Sequence, residues 1–343
     1  MPEHGMHTWN ELCSQPHAWR DALAVLATHT PTLAQHAALQ QTTHILWSGC
    51  GSPYYLAVAM GRLQQQRSDL PVSVIPASEI WNNPKASIPR TGSPTLILLS
   101  RSGSTTEVLK AAEQFRATAP RGHIITISCY GDRPLAQLGD INIVLPSGQE
   151  QSIAQTRAFS VLHVGALAVL WALSGGDFAD FAQIPAVGAA VIAKYQAHCV
   201  AIGANPAYDQ FFFLGSGYRY GLACEASLKM KEMSLTVSEP FHHMEFRHGP
   251  QSMVTPKTLV VGIGSILTQT QEEAVLKDMR ALGGHTLSIG PNASADMQWD
   301  ATLPEECNGL IALPLLQSIA YSRATSRGLD PDNPHNLNAV VVL

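Results

Sequence analysis

The residues best suited to chemistry fall into two groups. The first follows the apolar run "TLILLS" (95–100), where the chain continues Arg101-Ser102-Gly103-Ser104-Thr105-Thr106-Glu107 and turns helical. Ser100, Ser102, Ser104, Thr105 and Thr106 thus place five hydroxyls around one glycine at the mouth of a buried strand. A helix N-cap needs a single hydroxyl. A cluster of hydroxyls beside backbone N–H groups and the positive end of a helix suits an anion, above all a phosphate. The loop is not a Walker A motif, because G-x-x-x-x-G-K-[ST] is missing. Nor is there a dinucleotide fingerprint, since "GCGSPYY" lacks the third glycine. The expected ligand is a small phosphorylated metabolite rather than a nucleotide.

The second group lies in "GLACEASLKMKEMSLTVSEPFHHMEFRHGP" (221–250). Glu225, Lys229 and Glu232 are spaced i, i+4, i+7 and share one helical face. A following loop holds Glu245, Arg247 and His248 ahead of Gly249-Pro250. An exposed Glu–Lys pair would be worth only about 0.3–0.5 kcal/mol, but the repeat described next turns this face inward. His242 and His243 are expected to be ordinary loop histidines, solvated or satisfied locally. No H-E-x-x-H pattern supports a metal at His243, Glu245 and His248, so no metal or other cofactor is expected. A carboxylate and an imidazole acting on one phosphorylated molecule suit proton transfer beside a carbonyl or imine.

These groups are carried by a repeat. Apolar strand-like runs alternate with helix-length segments, the signature of βαβ units and a parallel sheet. "LWSGCGSPYYLA" (46–57) and "FFLGSGYRYGLA" (212–223) align without gaps, with Gly49/Gly215, Gly51/Gly217, Tyr54/Tyr220, Leu56/Leu222 and Ala57/Ala223 identical. "TLILLS" (95–100) then answers "TLVVGI" (258–263), "GHIITIS" (122–128) answers "GHTLSIG" (284–290), and "DINIVLP" (140–146) answers "DATLP" (300–304). The reading is a duplicated α/β domain: a helical leader (1–40), a first domain (41–175), a linker helix (176–205), a second domain (206–328) and a polar tail (329–343). The hydroxyl cluster has no counterpart in the second half, whose matching segment is "GIGSILTQTQEEA". One phosphate per chain follows, bound where open α/β sheets hold ligands, at the carboxyl ends of the strands.

Composition excludes several alternatives. The 343 residues carry a formal charge of −5 with Lys and Arg scattered, which gives no reason to expect nucleic acid or an anionic membrane as a partner. "VLHVGALAVLWAL" (161–173) is too short to span a bilayer and reads as a core helix. The N-terminus has no apolar h-region, and six cysteines without CxxC spacing suit reduced thiols, so a cytoplasmic location is expected.

In combination, "GCGSPYY", "SRSGSTTE", "GQEQSIAQTRAF", "LGSGYRYGLACEASLKMKE", "EFRHGP" and the tail "DPDNPHNLNAVVV" resemble the sugar isomerase (SIS) family. The resemblance is to its double-SIS members: the isomerase half of glutamine–fructose-6-phosphate aminotransferase, and stand-alone isomerases, glucosamine-6-phosphate deaminases and fructosamine deglycases. It implies two tandem SIS domains, each a five-stranded parallel sheet flanked by helices in a flavodoxin-like three-layer sandwich. It further implies a homodimer with sites at the subunit interface. By the same resemblance Ser100, Ser102 and Thr105 hold the sugar phosphate, Arg101 donates through its backbone, and Ser52 binds phosphate or sugar. Gln155 stands where the aminotransferase has a sugar-contacting serine. Glu232 matches the base that moves a proton between C1 and C2, and His248 matches the ring-opening histidine donated by the neighbouring subunit. Lys229 and Glu225 match supporting residues of the same helix.

Two departures narrow the expected activity. Position 2 is Pro and no glutaminase domain precedes the repeat, so glutamine is not expected as amino donor. The family tail P-x-N-L-A-K ends in a lysine that forms a Schiff base with the ketose. Here Pro334-His335-Asn336-Leu337-Asn338-Ala339 puts Ala339 in its place. A substrate that brings its own nitrogen at C1 or C2 needs no such lysine. The expectation is an isomerase and deaminase of an amino-sugar phosphate such as glucosamine 6-phosphate. The alternatives are a fructosamine-6-phosphate deglycase, a nitrogen-free aldose–ketose isomerase and a non-catalytic sugar-phosphate sensor.

Overall fold

The computed structural model describes residues 4–36, 39–300 and 303–343. Its strands are β1 (His44–Ser48), β2 (Val72–Val74), β3 (Pro94–Ser100), β4 (His123–Ser128), β5 (Ile141–Val144), β6 (Gln210–Gly215), β7 (Val237–Phe241), β8 (Thr258–Ile263), β9 (His285–Gly290) and β10 (Met297–Gln298). Its helices are α1 (Met6–Cys13), α2 (Gln15–Gln35), α3 (Ser52–Arg67), α4 (Ala77–Asn82), α5 (Pro84–Ser87), α6 (Thr106–Thr118), α7 (Arg157–Ser174), α8 (Ile184–Ala204), α9 (Arg219–Ser234), α10 (His243–Phe246), α11 (Gln269–Ala281) and α12 (Asn308–Ser326).

The strands form two five-stranded, all-parallel sheets, β2-β1-β3-β4-β5 and β10-β9-β8-β6-β7. Read in order of appearance within each half, both follow the doubly wound order 2-1-3-4-5. The chain reverses its winding between the first and third strands of each sheet, which opens a crevice at their carboxyl ends. Strand β3 is buried at every residue, as a parallel strand covered by helices on both faces must be. Strands β2 and β7 complete the five strands per sheet that the resemblance implies, but no apolar run in the sequence marks them. β2 has three residues and β7 contains Ser238, Glu239 and Pro240, so neither presents the apolar run of a central strand. The last strand is β10, and not "DATLP"; residues 301–302 of that segment lie outside the described ones.

The register also corrects the internal alignment by one residue. Leu46 pairs with Leu96, and its duplicate Phe212 pairs with Val260, not with the Leu259 that the ungapped match assigns to Leu96. The helix faces agree with this shift. Val108, Ala111, Ala112 and Phe115 are the buried face of α6, and Glu272, Val275, Leu276 and Met279 that of α11.

The chain divides into two compact units that do not follow its linear order. One comprises residues 17–150, 157–182 and 338–343, and contains the first sheet. The other comprises 4–16, 151–156 and 183–337, and contains the second. The leader is therefore divided between α1 and α2, and the tail divides after Leu337. In the second unit the tail residue Asp332 caps α1, accepting from the Thr8 backbone N–H and hydroxyl at 2.7 Å each. No disulfide joins the six cysteines.

In the first unit the core helix is α7, buried continuously from Ala158 to Trp171. It is apolar on all sides, which suits burial all round. His163 sits in this run without a hydrogen-bond partner for either ring nitrogen among the described residues, and burial depresses its pKa to about 3. The unfolded chain takes up this proton below about pH 6.5 and the folded chain does not, so stability falls as pH drops from about 6.5 toward 3. His163 alone should cost about 2 kcal/mol between pH 7 and pH 5. Urea unfolding across that range should give a flatter pH dependence for His163→Leu; an unchanged slope would remove this role.

Candidate functional site

The G-x-G turns are kept in both halves for two steric reasons. A Cβ at Gly49 would stand 2.8 Å from Pro53, and one at Gly215 would stand 2.2 Å from the Arg219 carbonyl oxygen. Gly51 and Gly217 sit at φ 59° and 58°, in the left-handed region that only glycine enters at little cost. The first turn delivers Ser52, buried, to the first position of α3.

After β3 the hydroxyl loop forms a compact turn. Gly103 has φ 64°, and Gly103 N–H donates to Ser100 Oγ at 3.1 Å. Ser104 N–H donates to Ser102 Oγ at 3.2 Å, and Ser102 Oγ lies 3.4 Å from Thr105 Oγ1. The N-cap of α6 is Thr105, whose side chain makes no capping bond, so neither Ser102 nor Ser104 serves as that cap. Loops after β1 and β3 flank the switch point of this sheet, so Ser52, Ser100, Ser102 and Thr105 all stand at the carboxyl ends of its strands.

The side chain of Arg101 has a use the sequence did not reveal. It is buried, donates to the Ala339 carbonyl at 2.6 Å and lies 3.6 Å from the Glu150 carboxylate. The tail continues across the start of α6, where Thr106 N–H donates to Val341 O at 3.3 Å and Leu343 N–H donates to Thr106 Oγ1 at 3.1 Å. Glu150, whose side chain is fully buried, also accepts from the Ala158 N–H at the start of α7. Its one sequence signal was its place in "GQEQSIAQTRAF", and that stretch has no periodicity to expose an inward carboxylate. With Arg101 and Glu150 close by, burial drives the Cys129 thiol strongly upward, so it stays protonated at neutral pH.

The second unit carries the charged helix face. Lys229 is 1% exposed and Glu225 1%, so the pair is not a surface ion pair. The Lys229 ammonium lies 3.5 Å from Glu225 Oε1 and bonds Glu232 Oε2. The ladder runs from a fully buried carboxylate to Glu232, whose side chain keeps 20% exposure. Buried charges persist only when paired in this way. Glu232 is thereby held by its own helix at a partly exposed position.

The other residues from the sequence fall as follows. His248 is exposed in the turn after α10 and makes no hydrogen bond or ion pair with Glu232 among the described residues. Arg247 pins that turn to α11 through Asp278, at 2.5 Å. Gln155 belongs to the segment 151–156 of the second unit, where its Oε1 is buried without a hydrogen-bond partner among the described residues. His242 stacks on Tyr220 at 4.1 Å, a local satisfaction. His243 departs from the expectation of a solvated loop histidine: it is 1% exposed, because β7 carries it into the core at the start of α10. No three His, Cys, Asp or Glu side chains cluster as a metal site among the described residues.

A family profile for the SIS domain matches residues 38–173 and again 208–312. The chain belongs to the SIS family. It is built as a tandem pair of SIS domains. It is 26% identical over 313 residues to the glutamine–fructose-6-phosphate aminotransferase of Sulfurisphaera tokodaii, covering 89% of this chain and 51% of that protein. To the Bacillus subtilis aminotransferase it is 28% identical over 321 residues, covering 88% and 52%. The chain therefore spans about half the length of these relatives. Among solved structures, the glucosamine-6-phosphate deaminase of Thermotoga maritima is 26% identical, with TM-score 0.78 over 94% of this chain and all of that one. The tagatose-6-phosphate ketose/aldose isomerase of Escherichia coli shares the fold at 20% identity, with TM-score 0.88 over 98% of this chain and 99% of that one.

The Arg101–Glu150 pair yields a direct test. Glu150→Ala leaves a buried guanidinium without its carboxylate and should cost about 3–5 kcal/mol in chemical denaturation. Glu150→Gln, which keeps an acceptor for the Ala158 N–H, should cost less. Both variants remove the charge, so equal losses would show that the Ala158 hydrogen bond adds nothing beside the ion pair, and a loss below about 1 kcal/mol in both would remove the pair's role.

Proposed function

We propose that this chain isomerises and deaminates an amino-sugar 6-phosphate of the glucosamine type. The observation that carries the reading is the Glu225–Lys229–Glu232 ladder, which spends two buried charges on fixing one accessible carboxylate. In the open-chain aldose, Glu232 takes the proton from C2, giving an enolamine, and returns it to C1. The product is the ketose imine at C2. Water adds to that carbon, and ammonia leaves as the ketose phosphate forms. The nitrogen of the substrate supplies the imine, so Ala339 in the place of a lysine costs the reaction nothing. In this reading the phosphate is held by Ser100, Ser102 and Thr105, with Ser52 and the backbone of Arg101 assisting. Gln155 contacts the sugar, and Glu225 and Lys229 position Glu232. Similarity to the aminotransferases and to the Thermotoga deaminase supports this substrate class.

The same lack of a lysine favours a second substrate, a fructosamine 6-phosphate. There the proton moves from C1 to C2, and hydrolysis of the C1 imine releases an amine and the aldose phosphate. The deciding experiment supplies glucosamine 6-phosphate, fructose 6-phosphate with ammonia, and fructoselysine 6-phosphate, and measures ammonia or free lysine. Ammonia from the first supports the proposal, lysine from the third selects the deglycase, and aldose–ketose exchange alone selects the nitrogen-free isomerase. Binding without turnover of any of the three would leave a sensor. Glu232→Gln should lower kcat about 10²–10⁴-fold with binding spared. Ser102→Ala should weaken binding about tenfold to a hundredfold while changing kcat less.

The reading includes a cytoplasmic homodimer in which His248 opens the sugar ring in the neighbouring subunit's site. The exposed position of His248 and its lack of a bond to Glu232 support that role. Mixing His248→Ala with Glu232→Gln subunits should restore activity that neither variant has alone. Silence of the mixture, with exchange of subunits verified, would place both residues in one chain's site.

A further inference from the structure

The corrected register exposes a set of substitutions between the two domains. In the first sheet, Ala77, Leu98 and Val108 belong to one apolar cluster between the sheet and α6. The pairings Leu46 with Ser73 and Phe212 with Glu239 make His243 the counterpart of Ala77. The one-residue shift makes Gly262 the counterpart of Leu98, and Glu272 that of Val108. Three core positions that are apolar in the first domain are thus polar or empty in the second, with His243 beside both Gly262 and Glu272. The loss of the leucine side chain makes the room: a Cβ at Gly262 would lie 3.1 Å from His243 Nε2.

This polar trio lines a cleft of about 550 Å³ between α11 and the loop after β9, wholly inside the second unit. That volume lies within the roughly 300–1,000 Å³ of small-molecule pockets. His243 is 1% exposed, with Nδ1 3.1 Å from Ser216 Oγ and 3.8 Å from the Glu272 carboxylate. A hydroxyl oxygen and a carboxylate on that side draw the ring proton to Nδ1, so Nε2 presents a lone pair. Nε2 has no hydrogen-bond partner among the described residues. Asn292, 7% exposed and lining the same cleft, has a buried Oδ1 in the same condition. Burial depresses the pKa of His243 to about 3, which keeps the imidazole neutral. Glu272 is not spare, because its two oxygens accept from Ser265 N–H and the Thr268 hydroxyl.

Two buried acceptors without donors are costly unless a partner arrives from outside. A dianionic phosphate ester brings only more acceptors to His243 Nε2 and Asn292 Oδ1. Although Lys277 and Arg280 also line the cleft, the three carboxylates of Glu272, Glu273 and Asp296 outnumber them and leave no cationic excess to hold an anion. Hydroxyl groups supply the missing donors without charge. We propose that the cleft is a second small-molecule site, which takes an uncharged sugar or polyol through hydroxyls donated to His243 Nε2 and Asn292 Oδ1. The site is separate from the hydroxyl loop and does not depend on the reaction proposed above.

The test is calorimetric titration of the full chain with D-glucose, D-mannitol and myo-inositol. At least one should bind saturably. Asn292→Leu should weaken that binding about tenfold, the value of one neutral hydrogen bond with its partner left unpaired. Ala274→Trp should abolish it by filling the cleft from the exposed side of α11, where the larger side chain leaves the core untouched. Ser102→Ala should bind the same probe as the parent does. If Asn292→Leu fails to fold, Ala274→Trp decides. Failure of all three probes to bind, unchanged binding by Ala274→Trp, or competition by inorganic phosphate would each overturn the proposal.

Discussion

A parallel sheet covered by helices on both faces has no place for polar chemistry except where its strands stop. Its middle must be apolar, because backbone groups there are consumed by the ladder and side chains face packed helices. Strand β3 obeys this along its whole length and then releases Arg101, Ser102 and the rest of the hydroxyl loop within a few residues. The winding reversal beside β1 opens the crevice at that spot. The positions of Ser52, Ser100, Ser102 and Thr105 all follow from this constraint.

Charge is handled by the same economy. Arg101 and Glu150 are buried as a pair, and the guanidinium also holds the tail at Ala339. Glu225 and Lys229 are buried as a pair, and the ammonium also holds Glu232. In each case a buried charge is tolerated because it fixes something at the edge of the core. Broken singly, such pairs leave an uncompensated ion, which costs more than the pair ever contributes.

Duplication supplied two copies of one scaffold, and their differences are as informative as their likeness. The first copy keeps Ala77, Leu98 and Val108 as plain core and concentrates its polarity in the loop after β3. The second replaces those three with His243, Gly262 and Glu272, and its loop lacks the hydroxyl cluster. Only a structural register reveals this. A slip of one residue along a strand exchanges the two faces of the sheet, and with the ungapped alignment the substitutions look unrelated.

The sequence by itself determined the α/β class, the duplication, the hydroxyl loop and the charged helical face. Each of these is a local signal: strand and helix periods, a G-x-G turn, a run of hydroxyls, and the spacing of Glu225, Lys229 and Glu232. It also carried the family motifs. Tertiary structure decided what depends on partners far apart in the chain. It set the short strands β2 and β7, which have no apolar run of their own, and placed His243 in the core through β7. It paired Arg101 with Glu150 and with a carbonyl 238 residues away. It assigned the pieces of the leader and tail to units that the linear order does not follow. Spacing along a chain fixes which side chains share a face, but only packing fixes what that face meets.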